Sequence, residues 1–151
     1  INLAAANAKK DVYGEKPLTL TIDEGKRLVK AVRANGIVLQ TGTQQRSDKK
    51  FRLACELVRN GRIGKLQKIE VILPKQPNVA GDPTPQPVPP DLDYDMWLGP
   101  APQAPYTKDR VHFNFRWIWD YSGGIICDWG AHLFDTAQWA NDTERSGPVE
   151  I

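Results

Sequence analysis

Cysteine is scarce. Cys55 and Cys127 are the only two in 151 residues and stand far apart, which excludes a disulfide framework and leaves no pair at zinc-ligand spacing. A reducing compartment, by default the cytoplasm, is the setting this implies. No apolar run comes near about 18 residues, and Ile1 opens no signal-peptide pattern, so nothing reads as spanning or targeted to a membrane. An excess of one charge is lacking too: 20 basic residues against 18 acidic give +2, no reason to invoke nucleic acid or an anionic lipid surface. Basic residues gather between Arg46 and Lys68, but no series of aromatics interleaves them as a stacking platform requires, and they read as a solvated face.

What is present suits an ordinary globular chain, 40% hydrophobic and 25% charged, of one domain's length. Residues 1–10 suit a helix with no N-cap before it, and Gly147-Pro148-Val149-Glu150-Ile151 reads as a new strand cut short, so a piece of a longer protein is expected. Asp11-Val12-Tyr13 begins a short strand ending at Gly14 and Pro17. Thr21 and Glu24 stand at capping-box spacing before a helix with Leu28, Val29 and Val32 as its buried stripe and Gly36 as its left-handed terminus. Ile37-Val38-Leu39 is apolar throughout, like a strand buried on both faces of a parallel sheet. It runs into the polar loop Thr41–Arg46, at the carboxyl end where ligand crevices of open α/β sheets lie. Ser47 or Asp48 caps a further helix, with Phe51, Ala54, Cys55 and Val58 at i, i+3, i+4 and i+7, and Asn60-Gly61 stops it. Leu66 to Leu73 then alternates as a half-buried strand does, which suggests a sheet with one exposed face.

Ten of the twelve prolines fall between Pro74 and Pro105, a density that excludes helix and central strand. Trp97 and Leu98 interrupt this stretch with apolar surface a free linker does not need, so a loop anchored on the protein is expected. Phe113, Phe115, Trp117 and Trp119 alternate with Asn114, Arg116 and Ile118, the pattern of a strand with an aromatic face. That face serves either core packing or sugar stacking.

The densest chemistry lies between Gly123 and Ala140. If residues after Cys127 are helical, Asp128, His132 and Asp135 share one face at spacings of four and three, while Trp129, Leu133, Phe134, Ala137 and Ala140 cover much of the rest. Three readings stay open. Asp128 is a helix N-cap with His132 a packed neighbour; or the carboxylate orients a catalytic imidazole; or the two are part of a metal site, for which no second histidine is near.

Glu15-Lys16-Pro17-Leu18 after a strand, then helix, strand and Gly42-Thr43, and later Gly-Gly followed by Asp128-x-Gly130-x-His132-x-x-Asp135, resembles the Gfo/Idh/MocA family of NAD(P)-dependent oxidoreductases over essentially the whole chain. Tyr94-Asp-Met-Trp-Leu-Gly-Pro-Ala-Pro and Arg116-Trp-Ile-Trp-Asp-Tyr-Ser-Gly-Gly look like a branch with sugar-related substrates. The resemblance implies an α/β fold: residues 1–46 as the C-terminal half of a Rossmann-like parallel sheet, joined to residues 47–151 as the beginning of an α+β open-sheet substrate domain with the Pro-rich loop 74–105. It implies NAD or NADP as cofactor, with Glu15, Lys16 and Pro17 beside it. Lys16, Asp128 and His132 are then the catalytic set, and Arg46, Trp117, Asp128 and His132 the substrate-binding residues; no metal is expected. A small carbohydrate-like substrate follows; a homo-oligomer is expected on other grounds, because a truncated sheet exposes edges and apolar faces that a partner copy can cover.

One departure matters. No Gly-x-Gly-x-x-Gly occurs in the sequence, and the ribose-binding acid that follows such a loop is missing as well, so the pyrophosphate contacts are absent. The fragment is expected to be inactive alone. Alternatives are an NAD-dependent glycosidase of the same family and a catalytically silent sugar-binding or scaffold module.

Overall fold

A computed structural model describes residues 1–75 and 81–150. Its regular elements are α1 (Asn2–Asn7), β1 (Val12–Gly14), α2 (Ile22–Asn35), β2 (Leu39–Thr41), α3 (Lys49–Arg59), α4 (Tyr94–Leu98) and α5 (Ala131–Ala140). They divide into two compact units: Ile1–Ile72 with the described residues from Gly130 on, and Leu73–Trp129. Within the first of them α3 packs on α5.

In the first unit β1 and β2 pair in parallel, Val12 opposite Leu39 and Gly14 opposite Thr41, with α2 as the crossover that parallel strands require. Thr21 Oγ1 accepts from Glu24 N at 3.2 Å, and the Glu24 carboxylate accepts from Leu20 N at 2.9 Å, one residue earlier than the capping box places it. Gly36, at φ 64°, ends the helix in the left-handed conformation expected of it. Two corrections concern burial. The stripe of α2 is Leu28, Ala31 and Val32, while Val29, about 100° round the helix from Leu28, is half exposed. Val38 is largely exposed and precedes the strand, which begins at Leu39; among the described residues the sheet has two strands. Ala6, Leu28 and Ala31 form the core with Leu3, Leu18, Val32, Ile37 and Leu39 around them; the small residues at 6 and 31 let α1 and α2 approach closely.

Asp48 caps α3 by accepting from Lys50 N at 2.7 Å. Cys55, nearly inaccessible, faces α5 and approaches the Thr136 carbonyl at 3.8 Å. Residues 66–73 carry no strand assignment, and neither do 147–150. Alternation alone does not make a strand, because a ladder partner is needed as well.

Of the Pro-rich stretch, residues 76–80 lie outside the described residues. In the second unit, α4 is capped by Asp93, which accepts from Met96 N at 3.0 Å. Leu98 is buried, and Trp97 meets Tyr121 edge-on at 5.1 Å between ring centroids, so the stretch is anchored where its apolar residues predict. The aromatic alternation at 113–119 is not a strand. Asn114–Trp117 is a 3-10 turn, held by Phe113 against Trp117 at 6.1 Å and by the Arg116 guanidinium over Phe113 at 4.3 Å. Among the described residues no helix is long and apolar enough to cross a membrane.

Candidate active site

Both strands of the first unit end on glycine-containing turns. Gly14 closes β1, and Gly42 N donates to its carbonyl at 2.7 Å. A side chain at Gly42 would meet the Glu15 carboxylate 2.9 Å away, and one at Gly14 would meet Asn2 and Leu18 at 3.0 and 3.1 Å; close approach, not φ, demands glycine here. The turn therefore projects Glu15, Lys16 and Pro17 beyond the carboxyl end of β1. Glu15 and Pro17 are exposed and Lys16 is half-buried.

The polypeptide leaves β2 at the same end and forms a 3-10 turn, Gln44–Ser47, that carries Arg46. Its guanidinium grips Asp135 of α5 with two bonds, Nε to Oδ2 at 2.6 Å and Nη2 to Oδ1 at 2.8 Å. Nη1 reaches Glu144 at 2.5 Å, and the group lies over the Trp139 ring at 5.1 Å. Glu144 is shared with Arg59 of α3, which also pairs with Asp142. Asp135 raises the Arg46 pKa further above its already high value, against the opposing effect of burial, and Arg46 in turn lowers that of Glu144. This network escaped the sequence reading because its members lie some 90 residues apart, with no local pattern to pair them.

His132 opens the same helix and is buried, its carbonyl accepting from Thr136 Oγ1 at 2.9 Å. In the second unit, Asp128 lies inside a π-helical turn, Ile126–Gly130, not at an N-cap. Such a turn takes an extra residue into the helical ladder and recurs at functional sites. Arg116 Nε stands 3.3 Å from Asp128 Oδ2, a pairing the sequence reading also missed. Trp117 is half-buried, and among the described residues its indole Nε1 has no hydrogen-bond partner. Among the described residues no three His, Cys, Asp or Glu side chains are grouped to hold a metal ion.

Residues 79–151 match the family model described as oxidoreductase family, C-terminal alpha/beta domain, of the Gfo/Idh/MocA group. Myo-inositol 2-dehydrogenase of Thermotoga maritima is 32% identical over 137 residues, covering 91% of this chain and 30% of the relative. Residues 79–151 belong to the Gfo/Idh/MocA family. The chain is also similar to the uncharacterised oxidoreductase YrbE of Bacillus subtilis, at 29% over 93% of this chain and 31% of that protein. The NAD(+)-dependent scyllo-inositol 2-dehydrogenase of the same organism is 35% identical over 42% of this chain and 18% of its own length. The chain thus spans a little under a third of the length of the first two relatives.

A nicotinamide dinucleotide is the cofactor the family implies, and the groups present suit part of it. An ammonium and backbone groups stand at the carboxyl ends of two parallel strands, the side on which open α/β sheets bind ligands. No glycine-rich turn is available for a pyrophosphate.

Proposed function

We propose that the protein containing this chain is an NAD(P)-dependent oxidoreductase acting on a hydroxyl carbon of a sugar, polyol or related compound. The observation that carries the reading is a lysine-bearing turn at the carboxyl end of β1, in a sequence that also holds the Asp128-x-Gly130-x-His132 motif and is similar to two inositol dehydrogenases. When bound, the nicotinamide accepts the hydride. His132 takes the proton from the substrate hydroxyl as the carbon–hydrogen bond breaks. Lys16 stabilises the negative charge that grows on the same oxygen. Glu15 and Pro17 shape the turn that presents Lys16 to the cofactor. Asp128, steadied by Arg116, supplies a carboxylate on the substrate side, and Trp117 offers its ring and indole N–H to a hydroxylated ligand.

The test is myo-inositol oxidation by the complete protein with NAD or NADP, followed by nicotinamide absorbance. His132→Ala lowers turnover by about 10²–10⁴-fold, the range of a positioned acid–base group. Wild-type-like turnover in that variant removes His132 from the mechanism. Release of free sugar from a glycoside without net cofactor consumption points instead to the glycosidase reading, and sugar affinity without dinucleotide affinity to a silent module.

A further inference from the structure

We infer that Arg46 is a positioning residue: it acts through Asp135 to fix the rotation of α5, and with it the direction in which His132 faces. The inference rests on the dehydrogenase reading for its kinetic consequence but on geometry for its substance. His132, Asp135 and Trp139 recur at i, i+3 and i+7 and so form one stripe along α5. Arg46 holds two members of that stripe, Asp135 by two parallel bonds and Trp139 by its ring face. A single contact lets a helix turn about its axis, whereas contacts one turn apart on the same face do not. An isolated exposed ion pair contributes little, but this one is bidentate and about two-thirds covered or more on both sides. It is also tied through Glu144 to Arg59 on α3.

The far end of the clamp matters equally. Arg46 sits three residues past the Thr43 amide that bonds the Thr41 carbonyl at the end of β2, and Gly42 is bonded to the end of β1, from which Lys16 projects. One guanidinium therefore couples the strand ends bearing the lysine to the helix bearing the histidine. The Nε/Nη2 fork, the edge that would grip a ligand by two parallel bonds, is already taken by Asp135, and Nη1 donates to Glu144.

The experiment compares Arg46→Gln, Asp135→Asn and the double variant in the complete protein, with myo-inositol and NAD as probes. Each single variant is expected to lower kcat at least tenfold with KM for myo-inositol changed less than threefold, and the double variant to be no worse than either single one. Arg46→Lys, which keeps charge but loses the fork, restores little. A rise in KM confined to the Arg46 variants marks a substrate ligand and overturns the proposal. So does kcat within twofold of wild type in both single variants. If the wild-type protein oxidises no polyol, the dehydrogenase reading fails, and the clamp is then judged by the His132 ring resonances, assigned with His132→Asn. Both single variants shift them if the clamp sets the imidazole; unshifted resonances overturn it.

Discussion

Among single residues, Glu144 gives the clearest dependence on pH. Arg46 lowers its carboxyl pKa below the ordinary value, with Arg59 assisting. A carboxyl whose folded-state value is depressed stabilises the fold above its unfolded value, near 4.3 for a glutamate, and loses that contribution as pH falls through the folded value. Glu144→Gln is therefore expected to be less stable than wild type in urea at pH 6 and equally stable at the acid end. A difference that persists unchanged at low pH would count against the ion pair as its source. Cys55 makes a second residue-scale case: burial raises its thiol pKa and nearly closes it to solvent. A neutral, covered thiol is a poor nucleophile, so maleimide labelling of the native chain is expected at Cys127, with Cys55 reacting only after denaturant is added. Equal labelling of both in the native state would show that α3 does not lie on α5 as described.

At the scale of elements, the caps of α2 invite measurement. Thr21→Ala removes the acceptor for Glu24 N and is expected to cost about 1 kcal/mol in urea unfolding. Gly36→Ala forces a side chain into the left-handed region, a penalty of roughly 1–2 kcal/mol. These caps were legible in the sequence because each is built from residues three or four positions apart. The buried cysteine of α3 and the parallel pairing of β1 with β2 were legible for a related reason, since helical periodicity and a short crossover are local signals. The alternation at 66–73 and 113–119 misled because alternation records only which side chains share a face, while a strand also needs a partner that lies elsewhere in the chain. Phe113 and Trp117 meet instead across a tight turn. In the candidate site, the types of group at Lys16, Asp128 and His132 were readable, but the engagement of Arg46 by Asp135 was not, for it depends on how α5 returns to α3.

For the whole molecule, dinucleotide affinity is the decisive measurement. Most of it comes from a glycine turn and helix N-terminus that grip the pyrophosphate, and each ~1.4 kcal/mol of lost contact is tenfold in Kd. Residues 1–151 alone are expected to show no binding in a titration to millimolar NAD. Sedimentation is expected to find self-association through the open edges of the two-stranded sheet. A monodisperse monomer that binds NAD at micromolar concentration refutes both expectations. The first unit is also discontinuous, its last helix following an excursion of 57 residues, 73 to 129. On the ribosome, α3 is complete at Arg59 while its covering helix begins at Ala131, 72 residues later. At about 5–20 residues per second the face bearing Cys55 and Val58 waits roughly 4–14 seconds for its cover. During that interval the nascent chain carries the amphipathic α3 without the helix that covers it, a longer exposure than the same two helices would have if they were adjacent in sequence.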